Sequence, residues 1–378
     1  MTRRVQPPAA YWEGRALGIV AAVLVVFGIV AVYSASSIWA VQNGLPGGYY
    51  ALRQLIGAGV GFLLLFVCTR LDYHVWRHLA WLMVGVIAVA LVIPLLPFTY
   101  GIAPEINGAR RAVSFGPIRL QPSEFAKFAV VAWTAMLAAK KGDAIRDFKT
   151  GLVPFIVIVF PIAGLVVFEP DLSTGIVIVL LAGTILFTAG AKIGHFLILG
   201  VAALPILWHQ VMTVQYRLSR MLSFLSSPDD IEQASWQIQQ SLIGIGAGRV
   251  FGVGFGEGLQ KLGYLPYAYS DFIFSTIGEE WGFVGVVVIV GLFSAFLALG
   301  FRIARSAPDL FGSLLATGLT ALIGIAALLN WGVALHIVPT TGISLPFISY
   351  GRSSLLVSLV ATGVLINISS RRTGSTRL

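Results

Sequence analysis

With 378 residues, 57% of them hydrophobic and only 11% charged, the chain cannot be a soluble globular protein, in which about a quarter of residues carry charge. Its net charge of +9 does not indicate nucleic-acid binding, because the basic residues are divided among short loops, and a mean hydropathy of +0.88 points to a polytopic membrane protein. The single cysteine, Cys68, excludes an internal disulfide and a cysteine-based metal site, and within its apolar run it reads as a packing residue.

The basic opening MTRRVQPPAAYWEGR is followed by an apolar run with no small-residue cleavage site, so that run reads as a retained helix. A bilayer core takes about 20 apolar residues per helix. Such runs fall near 16–34, 50–69, 79–98, 124–139, 151–168, 172–190, 194–213, 272–300, 310–337 and 352–369. The expected fold is all-α, one domain over 1–378 with about ten transmembrane helices and both termini on one side. Fifteen of the 25 Lys and Arg residues lie on the side of the termini, which places that side in the cytoplasm. The segment 214–271, between the seventh and eighth helices, is then a long extracellular loop. Ten basic residues remain outside: Arg53, Arg110, Arg111, Arg119, Lys127, Arg217, Arg220, Arg249, Lys261 and Arg352. An anionic ligand such as a phosphate or diphosphate lipid headgroup would hold them there. The competing explanation is pairing with the outer acids, among them Glu105, Glu124, Glu169, Asp171, Asp229, Asp230, Glu232, Glu257 and Asp271.

In the outer loop 99–123, Asn107-Gly108 and Gly116-Pro117 are turn signals. Between them Ala109–Phe115 is short enough for a hairpin strand or a re-entrant piece. Pro122 opens the fourth helix with Ser123 as its expected cap. Glu124 and Lys127, three residues apart, share a helix face; inside an apolar helix they form either a functional pair or an internal ion pair that locks the helix to a neighbour. Glu169-Pro170-Asp171 reads as a solvated outer turn. Ser235–Ile245 suits an interfacial helix. The glycines Gly244, Gly246, Gly248, Gly252, Gly254, Gly256 and Gly258 do not make a P-loop, since no Gly-Lys-Ser/Thr follows; a flexible or closely packed loop is expected.

The stretch YLPYAYSDFIFSTIGEEWG, 264–282, organises the rest. Pro266 stops what precedes it, Ser270 is the expected helix N-cap, and Asp271 is the last charge before Phe272–Ile277 enters the membrane. A carboxylate at that depth is costly. It is either a catalytic base that meets a lipid-borne substrate or an anion drawn to a helix N-terminus. Glu279 and Glu280 lie too far round and along the helix to pair closely with Asp271, and are expected to meet buried Arg or backbone groups. The polar, Gly- and Pro-punctuated segment Thr340–Ser354 lies on the same outer face. The five histidines are scattered, and His74 and His78 read as part of a solvated cytoplasmic loop, so no metal cluster is expected.

A series of motifs runs through nearly the whole chain: YSASS at 33–37, NGARR at 107–111, QPSEFAK at 121–127, EPDLSTG at 169–175, YRLSRMLSFL at 216–225, GVGFGEGLQKLGYLP at 252–266, SDFIFSTIGEEWG at 270–282 and LPFISYG at 345–351. In this order, on ten helices, they resemble the SEDS family of bacterial peptidoglycan polymerases, named for shape, elongation, division and sporulation. The resemblance implies an inverting glycosyltransferase that polymerises lipid II into β-1,4-linked glycan strands outside the cytoplasmic membrane, with undecaprenyl diphosphate as leaving group. It places the catalytic base at Asp271, the intramembrane pair at Glu124 and Lys127, and basic loop residues at Arg110 and Arg111. Ser123, Ser270, Arg352 and Ser353 complete the expected substrate-binding set. It also implies a class B penicillin-binding protein as transpeptidase partner, within the divisome or elongasome, and leaves room for a divalent cation, magnesium or manganese, at the diphosphate. QKLGYLP at 260–266 leans toward the division branch rather than the elongation branch. The chain departs from the family pattern at PYAYSD before the aspartate, at Ala112 where a Trp is usual, and at Arg352 where a Gly is usual. A lipid II flippase and a scaffold without chemistry are the alternative readings.

Overall fold

A computed structural model describes residues 12–105, 110–116, 118–225 and 233–371. The turn residues Asn107, Gly108 and Pro117 and the acids Asp229, Asp230 and Glu232 lie outside the described residues.

The fold is helical. In chain order come α1 (Trp12–Gln42), α2 (Tyr49–Arg70), α3 (His74–Val92), a short hairpin of β1 (Val113–Phe115) and β2 (Ile118–Leu120), α4 (Pro122–Lys141), α5 (Val153–Phe168), α6 (Leu172–Thr188), α7 (Ile193–Met212), α8 (Gln215–Leu225), α9 (Gln233–Ala247), α10 (Ile273–Arg305), α11 (Leu310–Ala334) and α12 (Arg352–Ser370). All ten apolar runs are helices. Eight are long and apolar enough to cross a membrane; α6 is apolar but shorter, and α4 carries Glu124, Lys127, Lys140 and Lys141.

Burial sorts these helices. In α11 78% of the apolar window is buried inside the protein and in α12 72%, against 6% in α7. The bundle is therefore built around α11 and α12, with α7 on its rim. The low hydropathy of α4 is tolerated because protein, not lipid, surrounds it: Ala126, Ala129, Ala132, Ala135 and Ala138 are all buried, and small residues at this spacing let helices approach closely. Opposite them, a Cβ on Gly318 of α11 would sit 2.7 Å from Val131 and Ile185 side chains.

The bundle has two distinct ends. At one, Arg302 lies over the Trp12 ring, 5.4 Å from its centroid. The Tyr73 hydroxyl donates to Asp309 Oδ1 at 2.6 Å, the Tyr73 N–H donates to Asn367 Oδ1 at 2.9 Å, and Arg371 pairs with Asp72 at 3.3 Å. The first and last described helices thus begin and end together. The opposite end gathers the hairpin, α8, α9, the glycine-rich segment and the residues preceding α10. In the hairpin Val113 faces Leu120 and Ser114 faces Arg119, so the strand alternative for this loop holds.

The longest helix, α10, breaks at Gly282, where φ is 65° and ψ −162°. A break inside a span exposes backbone groups that lipid cannot satisfy. Here the glycine-rich segment satisfies them. Val253 N–H donates to Glu279 O and Gly254 N–H to Glu280 O, while Phe283 N–H and Val284 N–H donate to Arg249 O and Val250 O. The approach is so close that a Cβ on Gly252 would lie 2.1 Å from Glu280 O. The glycine run is a packed loop docked into the kink.

Two expected caps are corrected. The N-cap of α10 is Phe272, and Ser270 lies in the preceding turn with its hydroxyl toward Tyr267 O. The N-cap of α4 is Gln121, and Ser123 sits inside the first turn. Local backbone fixes each start: Pro122 as the first residue of α4, and before α10 a hydrogen-bonded turn at Tyr267, where Ser270 N–H and Asp271 N–H both donate to Tyr267 O.

Candidate active site

Asp271 is placed by three elements. Its own segment is strapped to the chain before α12: Tyr350 N–H donates to Tyr269 O and the Ser349 hydroxyl donates to Ser270 O. From α11, the Asn330 amide donates to Asp271 O and to Ile343 O, each at 2.9 Å. Gly342 lies against the carboxyl, where an added Cβ would be 3.7 Å from Asp271 Oδ2.

The residue remains partly exposed, yet desolvation pushes its pKa up. The Ser270 hydroxyl and the charges of Arg220 and Arg111 pull it back, and Asp171 pushes it further up. The outcome is a carboxyl more basic than a solvated aspartate, which suits a general base. Arg220, on α8, donates to Thr340 O at 3.0 Å and so links α8 to the strap beside Asp271. Arg220 is among the outer basic residues but not in the expected substrate-binding set, and Asn330 is not singled out in the sequence, although a lone amide in an apolar run is a signal.

The expected substrate residues separate into groups. Arg111 donates to Glu169 O at 3.0 Å and Pro170 O at 2.6 Å, so it reaches the α5–α6 turn while its charge acts on Asp271. Arg110 turns away. Its guanidinium donates to Ala103 O, Leu96 O and Thr99 Oγ1 and lies over the Tyr100 ring at 4.2 Å, which holds the loop after α3. Lys127 and Glu124 pair with each other at 2.7 Å, their side chains 4% and 11% exposed. Gln121 joins two of the serines: its N–H donates to Ser353 Oγ at 2.9 Å and its side-chain amide to Ser123 Oγ at 3.0 Å. The first turns of α4 and α12 therefore meet, and Arg352 stands at the start of α12 one residue from that junction. Gln121 O also accepts from Glu124 N–H at 3.1 Å, so the Lys127–Glu124 pair is linked through Gln121 to Ser353 at the start of α12.

The Glu169-Pro170-Asp171 turn is buried, contrary to expectation. Glu169 is 0% exposed and Asp171 8%, because α8 and the hairpin loop cover the turn: Arg217 donates to Val167 O at 3.1 Å and Arg111 to the two carbonyls above. Asp171 caps α6 by accepting from Thr174 N–H at 3.0 Å. Both carboxyl oxygens of Glu169 are buried with no hydrogen-bond partner. Desolvation, helped by Asp171 and opposed by Arg111, pushes its pKa up to about 9, so Glu169 is a neutral acid at pH 7.

Glu279 accepts from Leu259 N–H at 2.7 Å and Gln260 N–H at 3.3 Å. Glu280 accepts from Lys261 Nζ at 2.7 Å and from the Ser34 hydroxyl at 2.6 Å. Backbone groups were expected for these acids; the basic partner is Lys261 instead of an Arg. Among the described residues no three His, Cys, Asp or Glu side chains converge as a metal-binding set.

A family profile described as "Cell cycle protein", covering FtsW, RodA and SpoVE, matches residues 15–374. The chain belongs to this family. It is 43% identical over 344 residues to a probable peptidoglycan glycosyltransferase FtsW of Trichlorobacter lovleyi, covering 91% of this chain and 90% of that protein. It is 40% identical over 353 residues to the stage V sporulation protein E of Bacillus subtilis, covering 93% and 96%. Among solved structures, a chain from a study of the coordination of polymerization and crosslinking by a peptidoglycan synthase complex superposes with a TM-score of 0.76 at 28% identity, over 95% of this chain and 98% of that one. The rod shape determining protein RodA of Thermus thermophilus superposes with a TM-score of 0.69 at 28% identity, over 95% and 97%.

Proposed function

We infer that this protein is a peptidoglycan glycosyltransferase that polymerises lipid II at the outer face of the cytoplasmic membrane, and that Asp271 is its general base. The observation that carries the reading is a partly exposed carboxyl, desolvated and flanked by two arginines, at the membrane-facing start of a helix. A solvated aspartate is too weak a base for a sugar hydroxyl; a desolvated one is better matched.

Asp271 takes the proton of the acceptor sugar's 4-hydroxyl as its oxygen attacks the donor anomeric carbon. The new C–O bond forms as the bond to the diphosphate breaks, with inversion, and the diphosphate leaves on its undecaprenyl chain. Arg111 and Arg220, on the Asp271 side of the site, balance the charge that grows on the leaving oxygen. Lys127 is held in its ion pair with Glu124. Arg110 holds the loop that carries Arg111. A divalent cation would enter with the diphosphate. The end of the bundle bearing Asp271 faces outward and both termini face the cytoplasm. A class B penicillin-binding protein is the partner this reading calls for, in keeping with the synthase complex among the similar structures. The division branch is favoured by the FtsW relatives.

The test is glycan synthesis from purified lipid II by the native protein and by Asp271→Asn, each with its transpeptidase partner. Loss of about two to four orders of magnitude in rate with folding intact supports the base. Equal glycan from both removes Asp271 from that role. Lipid transport that survives in Asp271→Asn, with no glycan made by either protein, favours a flippase.

A further inference from the structure

The glycine-rich loop docked into the α10 break turns its apolar side chains outward. Phe251 is 81% exposed, and Val253 and Phe255 are exposed beside it. Between Arg249 and Glu257 the loop carries no charge. The Phe255 ring lies 6.3 Å from that of Trp281, and the patch runs on along α10 through the exposed Phe283 and Val287. A contiguous apolar surface of this kind marks a face that something covers.

Three helices give the depth of this patch, measured from the opposite end of the bundle, where Arg302 lies over Trp12 and Tyr73 meets Asp309. Along α1, Trp12 to Ser34 is about 33 Å, and the Ser34 hydroxyl donates to Glu280 at the break. Along α10, Arg302 back to Gly282 is about 30 Å. Along α11, Asp309 to Asn330 is about 31 Å, and Asn330 donates to Asp271 O. A hydrocarbon core is about 30 Å thick. The break, the loop docked in it and Asp271 therefore stand at one level, the outer boundary of the bilayer. The segment from Asp271 to the break runs along that boundary instead of across it.

The backbone of the loop is finished for this position. An irregular segment at membrane depth needs its polar groups paired within the protein. Gly252 N–H donates to Gly248 O at 2.7 Å, Val253 N–H to Glu279 O at 2.9 Å and Gly254 N–H to Glu280 O at 3.2 Å, while Arg249 O and Val250 O accept from Phe283 and Val284. The loop directs its hydrogen bonds inward and its apolar side chains outward, the reverse of a loop built for water.

We propose that residues 250–255 form a re-entrant interfacial loop whose apolar side chains sit in the outer leaflet, between headgroups and acyl chains, and that bulk phospholipid covers them. Apolar side chains on an interfacial element settle at this boundary. Lipid is favoured over water because the exposed groups are uncharged and the backbone is paired inward. It is favoured over a protein partner because the patch is continuous with the face of α10 that crosses the membrane at the same depth. Part of the segment between the seventh and eighth spans thus belongs to the membrane-embedded surface. The inference needs only the membrane-spanning reading and is independent of the polymerase reading.

The test uses the full chain in nanodiscs of phosphatidylethanolamine and phosphatidylglycerol, with Cys68→Ser and one spin-labelled cysteine, Phe251→Cys or Phe255→Cys. Lys140→Cys, exposed at the charged end of α4, reports water, and Val201→Cys, exposed in the middle of α7, reports lipid. The expected result is a ratio of oxygen to nickel-chelate collisions at 251 and 255 several-fold above that at 140 and close to that at 201. Preferential access of the nickel chelate at 251 and 255 puts the loop in water and overturns the proposal. Protection from both reagents puts the patch against protein and overturns it too. A second measurement needs no substitution: the unaltered protein is irradiated in nanodiscs holding a phospholipid with a diazirine on its acyl chain. Adducts are expected on the peptide that carries Phe251 and Phe255 as well as on α7. Adducts on α7 with none on that peptide overturn the proposal, whatever the folding of the labelled variants.

Discussion

At the end of the bundle where α1 begins and α12 ends, Asp72 and Arg371 meet at 3.3 Å with 40% and 49% of their side chains exposed. At the opposite end Lys261 and Glu280 meet at 2.7 Å with 2% exposed on each. The first is a surface ion pair across two turns, where solvent screens the attraction and little stability depends on it. The second is buried beside a helix break. Removing two ions from water is repaid only when geometry and extra hydrogen bonds are good; here Lys261 also donates to Ser34 Oγ at 3.0 Å. Burying ions is costly, and among the described residues the buried ion pairs, Lys261–Glu280 and Lys127–Glu124, lie at the end that carries Asp271. There charge is built into the interior; at the other end the Asp72–Arg371 pair lies at the surface.

Three substitutions would break or sharpen the contrast. The largest effect is expected for Lys261→Met, which leaves Glu280 buried and unpaired at a cost of about 3–5 kcal/mol. The thermal midpoint should fall, and Lys261→Met/Glu280→Leu should regain much of it. Equal stability of the single variant and the native protein would place the pair with Asp72 and Arg371. Next comes Glu169→Gln. Glu169 titrates near 4.5 when solvated and at about 9 in the fold. Its neutral form stabilises the fold fully below pH 4.5, and that contribution is lost progressively as pH rises toward 9. The glutamine variant should flatten the pH dependence of the thermal midpoint across this window and keep activity at pH 7, where the native residue is neutral as well. The smallest effect is expected for Asp72→Asn, at most about 1 kcal/mol, with polymerisation unchanged.

The sequence made the helices legible because hydropathy is local: every apolar run is a helix, and even α4, with four charges, was found by its length. The β-hairpin and the packed glycine loop were readable from turn residues. The site was less legible. Ser270 and Ser123 carry cap chemistry, but the turn at Tyr267 and the proline at 122 set the helix starts. Arg110 and Arg111 are neighbours in the chain and read alike, yet one holds Leu96, Thr99 and Ala103 and the other crosses to the α5–α6 turn. Glu169 read as solvated because a Glu-Pro-Asp turn usually is; the covering groups are Arg111, 58 residues before Glu169, and Arg217, 50 residues after Val167. The α2–α3 turn also departs from a purely solvated loop, since His74 contacts Asp72 at 2.7 Å and lies 3.5 Å from Asp309. The caps were misplaced by local turns; Arg111, Arg217 and the His74–Asp309 approach are contacts between distant segments, to which periodicity and spacing are blind.

The buried pairs also have a consequence for biosynthesis. Lys127 follows Glu124 by three residues, and Glu280 follows Lys261 by 19. Each charge thus emerges from the ribosome close to its neutralising partner. Glu280 enters with α10 after its partner Lys261 has been made, and Lys127 shares a helix with Glu124.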